Sequence, residues 1–62
     1  MDSRTIIKIL KQNGWSEVAK VGSHAQFRHP YKNGRVTVPH PKKDMPIGTV
    51  KSIERQSGIK FS

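Results

Sequence analysis

The chain predicts a small α+β domain in two layers, built in the order helix, strand, strand, strand, helix. Three observations carry this. Apolar residues recur at helical spacing near both ends, at Ile6, Ile7 and Leu10 and again at Ile47, Val50 and Ile53. Between them lie three short runs in which apolar and polar residues alternate. Glycine and proline punctuate the boundaries, at Gly14, Gly22, Pro30, Gly34, Pro39 and Gly58.

Residues 3–13 form the first helix, with Ser3 placed to cap it through its hydroxyl, Ile9 at the margin of the apolar face, and Gly14 where a left-handed glycine ends a helix. Residues 15–21 follow as a strand in which Trp15, Ala19 and Val21 share one parity. Gly22-Ser23 is a short turn, and residues 24–29 are the second strand. In the turn-rich stretch 30–34, Asn33-Gly34 is a hairpin signal. Arg35-Val36-Thr37-Val38 alternates as a third strand, which Pro39 stops. Residues 39–45 form a loop of restricted backbone, because residues before proline avoid helical angles. Pro46 suits the first turn of the second helix, although Gly48 points to a start nearer Thr49. Gly58 closes this helix, and Ile59 and Phe61 fold back onto the core. Short turns make the strands a three-stranded antiparallel meander. Both helices cover one face of it and leave the other open to a ligand. The double-stranded-RNA-binding fold has this element order, an analogy that by itself says nothing of function.

At 62 residues there is room for one domain, spanning 1–62. A chain of this size buries only about 60% of the surface its unfolded form exposes. With 32% apolar residues, its core is a single thin layer. Cysteine is absent, which removes disulfide stapling and thiolate chemistry and fits a reducing compartment. No apolar run approaches the roughly 20 residues that span a bilayer. The opening Met1-Asp2-Ser3-Arg4 leads into an amphipathic segment rather than a signal peptide, so the expectation is a soluble cytoplasmic protein.

Twelve Lys and Arg against four Asp and Glu give a net charge of +8, spread along the chain. That is the footprint of a protein that binds a polyanion, nucleic acid before all. A membrane surface is the weaker reading, since the first segment offers only Arg4, Lys8 and Lys11 and few large apolar groups to insert.

Parity sorts the second strand. Phe27 is buried in so small a protein and Ala25 shares its face, so His24, Gln26 and Arg28 point toward solvent or ligand. An imidazole is the side chain best matched to moving protons near neutral pH. RNA offers chemistry that uses no metal: a base takes the proton of a ribose 2′-hydroxyl, which attacks the adjacent phosphate, while an acid protonates the leaving 5′-oxygen. Histidine serves in either role, and lysine and arginine stabilise the charge on phosphate. The plain alternative is that His24 bonds a turn carbonyl. His29 and His40 each precede proline and read as loop residues with local bonds, His40 being the better second proton-transfer group or phosphate contact because Lys42 and Lys43 are beside it. Lys42-Lys43 alone is more often a solvated pair, and Asp44 is placed to fix a lysine or cap the second helix. A shared metal site has little support, since His24 and His29 differ by an odd number and no carboxylate or thiolate lies close. Serine-triad chemistry lacks an acid to orient the imidazole. Trp15, Phe27, Tyr31 and Phe61 form no evenly spaced stacking platform, and Trp15 and Phe27 read as core.

Four ordered blocks then resemble one family. Asn13-Gly14-Trp15 at the end of the first helix, Gly22-Ser23-His24-Ala25-Gln26-Phe27, residues 36–43, and Gly48-Thr49-Val50-Lys51-Ser52-Ile53 are similar in order and spacing to the HicA toxins, small mRNA interferases of toxin–antitoxin systems. The resemblance covers nearly the whole chain. It implies a double-stranded-RNA-binding-like fold, endoribonuclease cleavage of mRNA without need of the ribosome or a cofactor, and neutralisation by a HicB antitoxin. The family's catalytic histidine falls on His24 and its glycine and serine on Gly22 and Ser23. Many members carry a second histidine directly after the first, where this chain has Ala25. The expected RNA contacts are Lys20, Gly22, Ser23, Gln26, Arg28, His40, Lys42 and Lys43. The rival readings are a non-catalytic RNA-binding module and a protein–protein adaptor.

Overall fold

In the computed structural model, which describes residues 1–61, two helices pack on one face of a three-stranded sheet. The elements are α1 (Ser3–Gln12), β1 (Ser16–Val21), β2 (His24–Arg28), β3 (Val36–Pro39) and α2 (Ile47–Ser57), and the sheet order is β1-β2-β3, antiparallel throughout. The double-stranded-RNA-binding-like α-β-β-β-α fold expected from the sequence is the one adopted. Among the described residues no helix is long and apolar enough to cross a membrane.

One face of the sheet makes the core. Ala25 pairs with Val38 and Phe27 with Val36, and paired residues share a face, so these four side chains stand together under the helices. Ile6 and Leu10 from α1, Val50 and Ile53 from α2, and Trp15 and Met45 complete the cluster, with Ile59 and Phe61 packed against it. The shortest extent of the molecule is 17 Å, as two layers require.

The cap of α1 lies one residue earlier than expected. Asp2 is the N-cap: its carboxylate accepts from the Thr5 backbone N–H and the Thr5 hydroxyl, both at 2.9 Å, and these bonds hold its pKa below the ordinary aspartate value. Ser3 is thereby freed from capping and buried, where it ties α1 to the loop after β3. Its N–H donates to the Lys42 carbonyl at 2.8 Å, and its Oγ accepts from the Lys42 N–H at 2.9 Å. At the other end the Trp15 N–H bonds the Leu10 carbonyl and the Gly14 N–H bonds the Lys11 carbonyl, the paired bonds of a Schellman motif. Trp15 and Leu10, both buried, supply the apolar packing that accompanies it.

Gly14 has φ +92°, and a Cβ there would lie 2.7 Å from Nε2 of His29. That ring is fixed from both sides: Nδ1 accepts the Tyr31 N–H at 3.1 Å, which leaves Nε2–H to donate to the Asn13 carbonyl at 3.0 Å, and Trp15 meets it edge-on. His29 is a structural residue, as its place before Pro30 implies. Gly14→Ala should therefore destabilise the fold by about 1–3 kcal/mol, through strain at a left-handed position and displacement of the imidazole. A thermal melt reads this as a fall of at least about 4 °C. An unchanged melt would contradict the packing of His29 on Gly14.

Three expectations are corrected. The β1–β2 register shifts between Glu17 and Ala19, a bulge that reverses parity, so Ala19 and Val21 leave the face of the core and Val21 is 65% exposed. α2 starts at Ile47 rather than nearer Thr49, Pro46 is its N-cap rather than its first helical residue, and Ile47 is exposed, its core face being Val50, Ile53 and Ser57. The β2–β3 connection is a seven-residue loop, residues 29–35. Asn33 has no positive φ and only Gly34 is left-handed, so Asn33-Gly34 is not a two-residue primed turn. Lys32 Nζ anchors this loop on the Ser57 carbonyl at the end of α2.

Candidate active site

The tightest turn of the molecule carries the candidate histidine. Val21 pairs with His24, leaving Gly22-Ser23 as a two-residue hairpin loop. Gly22 has φ +57° and Ser23 has none of this character, the pattern of a type II′ turn, which needs glycine first. A side chain at position 22 would meet nothing within 4 Å, so the backbone angle and not space calls for glycine. On the other side His24 pairs with Pro39, and the His40 N–H donates to the Ser23 carbonyl at 2.8 Å. The turn is thus held between both neighbouring strands.

His24 points to the open face, opposite Ala25 and Phe27, as parity predicts. Its imidazole is exposed, and neither ring nitrogen has a hydrogen-bond partner among the described residues, so both are free for a ligand. Val21 and Pro39 flank it as cross-strand partners. Gln26, two positions on, shares the face about 7 Å along the strand. Arg28, four positions on, also shares the face, its backbone about 13 Å along the strand.

A further cation of this face is one that sequence reasoning missed. Arg35 reaches across from the loop before β3, and its Nη1 donates to the Gln26 side-chain carbonyl. The signal was present in parity: Val36 is buried, so Arg35 and Thr37 take the other face. With its carbonyl taken by Arg35, the Gln26 amide N–H₂ has no hydrogen-bond partner among the described residues.

The remaining expected RNA-binding residues divide. Lys20 pairs with Ala25 and so takes the helix side of the sheet edge, because the bulge before it reverses parity. His40 turns the other way from His24, toward α1, where its Nδ1 lies 2.7 Å from Ser3 Oγ. Lys42 and Lys43 follow it to that side and line a depression with Asp2, Ser3 and Arg4. Asp44 neither caps α2, which has no side-chain cap, nor pairs with a lysine among the described residues. The open face thus gathers His24, Gln26, Arg28 and Arg35 beside Gly22 and Ser23, and leaves Lys20, His40, Lys42 and Lys43 elsewhere. Among the described residues no three His, Cys, Asp or Glu side chains come together as metal ligands would.

Comparisons with known proteins bear on the family and the fold. No curated protein matches the chain. A solved chain described as "HicA3 and HicB3 toxin-antitoxin complex" is similar over 100% of both chains, at 32% identity and a TM-score of 0.85. The family model for the HicA toxin of bacterial toxin–antitoxin systems matches residues 3–59, which include the Gly22 turn, His24 and both helices. With that span matched and the fold shared end to end, the chain belongs to the HicA toxin family.

Proposed function

We propose that this chain is a metal-independent endoribonuclease that cuts mRNA and uses His24 as its general acid or base. The observation that carries the reading is the free, exposed imidazole of His24, fixed by a Gly-Ser turn on the open face of a HicA-family sheet. The chemistry balances without a cofactor. The ribose 2′-hydroxyl loses its proton to a base and its oxygen attacks phosphorus. The bond to the 5′-oxygen breaks, and that oxygen takes a proton from an acid. The products are a 2′,3′-cyclic phosphate and a 5′-hydroxyl. Arg35 and the Gln26 amide, joined on the same face, donate to the phosphate oxygens as charge builds on them. Arg28 holds the strand further along, and Gly22 and Ser23 let its backbone pass close to the turn.

The similar solved chain comes from a toxin–antitoxin complex, and this chain has the same kind of partner: a HicB-type antitoxin that neutralises it by covering His24 with an acidic or anion-like surface. Its place of action is the cytoplasm, where mRNA is.

The test is incubation of purified protein with RNA in excess chelator. Cleavage to fragments with 5′-hydroxyl ends, and none of a strand carrying 2′-deoxyribose throughout, is the expected result. Salt-sensitive binding with RNA left at full length would reduce the protein to a non-catalytic RNA-binding module.

A further inference from the structure

We propose that the exposed face of α1, with the loop after β3, is a second RNA-backbone surface that holds the substrate strand on the side of the molecule away from His24. Arg4, Lys8 and Lys11 stand at i, i+4 and i+7 on that face, and with Ile7, Gln12 and His40 they line a shallow groove. A second depression adjoins it, shares Arg4, and adds Lys42 and Lys43. Five of the chain's twelve cations therefore lie along one track. Among the described residues none of the five has an ion-pair partner. Asp2 is the one acid lining either depression, and its carboxylate is taken up by Thr5. Like charges at i and i+4 destabilise a helix, so the fold carries a cost here that an anionic ligand relieves.

His40 gives the groove a built element. Ser3, itself held by both backbone groups of Lys42, fixes the ring through Nδ1 and leaves Nε2 without a partner among the described residues. The track also connects to the candidate active site. The His40 N–H bonds the Ser23 carbonyl, so the loop bearing Lys42 and Lys43 starts at the turn that presents His24. A single strand leaving His24 passes over this loop and reaches α1 around a body only 17 Å thick. A protein partner fits less well. Protein interfaces draw their affinity from buried aromatic or aliphatic anchors, and the groove offers only the half-buried Ile7.

The inference rests on the reading of the chain as an RNA-directed toxin, and its test is independent of cleavage. Binding is measured against salt with a 2′-O-methyl single strand, which lacks the hydroxyl that would attack. Lys8→Gln with Lys11→Gln is compared with Arg55→Gln with Lys60→Gln, an equal loss of charge at exposed positions outside the track. Lysine and glutamine have similar helix propensities, and circular dichroism checks the fold. The log–log slope should flatten by about 1.4 for the α1 pair, at about 0.7 for each phosphate no longer neutralised, and by less than half of that for the control pair. Equal flattening in both would show that net charge alone acts and overturn the track. Unchanged RNA binding with weakened antitoxin binding in the α1 pair would overturn it in favour of a protein surface.

Discussion

His24→Ala should lower RNA cleavage by about 10²–10⁴-fold while the protein stays folded, the range that one positioned acid or base contributes. The structural half of this expectation comes from what the side chain does not do. His24 is exposed, its ring bonds nothing among the described residues, and alanine opens no cavity beneath it, because Ala25 and Phe27 form the buried face. Its backbone stays paired with Val21 and Pro39 whatever the side chain. Surface substitutions of this kind change stability by no more than about 0.5 kcal/mol. The measurement is the cleavage rate at saturating RNA, with a thermal melt of each variant. A folded His24→Ala protein that cuts RNA at the parent rate would end the assignment. His29→Ala is the instructive contrast, since that imidazole bridges Asn13 and Tyr31 and packs against Trp15. Its loss should act on the melt, and on cleavage only through it.

The sequence made the sheet's open face legible because strand parity is a local property. Phe27 had to be inside, and His24, Gln26 and Arg28 followed with it. The type of residue at Gly22 was legible for the same reason, since a two-residue hairpin loop has few solutions. What escaped depended on single events that parity does not announce. The bulge between Glu17 and Ala19 moved Lys20 off the His24 face and Val21 onto it. The choice between Asp2 and Ser3 as helix cap turned on the alternative open to Ser3. Buried against the loop after β3, its hydroxyl meets both Lys42 and His40, whereas Asp2 reaches the Thr5 N–H from the helix end. That choice also decides the place of His40, which was expected to be a second proton-transfer group or phosphate contact and is held toward α1. Reach across strands was the other omission: Arg35, remote in sequence, comes over from the loop before β3 to bond Gln26 on the His24 face.

Phe27→Ala should remove most or all of the stability of this domain. Phe27 is fully buried on the central strand, between Glu17 of β1 and Val36 of β3, and lies beneath both helices in the one apolar cluster. Truncating a buried phenylalanine costs about 3–5 kcal/mol, as transferred surface is lost and a cavity is left that so thin a core can refill only by moving its helices. A chain of 62 residues has, at about 0.05–0.15 kcal/mol per residue, only about 3–9 kcal/mol in all. The larger Trp15 is a less clean probe, because its buried Nε1 has no hydrogen-bond partner among the described residues and its removal also deletes that unfavourable group. Phe27→Leu keeps much of the volume and should lose distinctly less than the alanine variant. Denaturant titration of the three proteins measures the series. A cooperative transition in Phe27→Ala within about 1 kcal/mol of the parent would mean that the core does not depend on this ring. Because Phe27 and His24 sit three residues apart on opposite faces of β2, the two substitutions separate the roles of one strand. Loss of activity with an intact melt marks the chemistry of His24, and loss of both together marks the support Phe27 gives it.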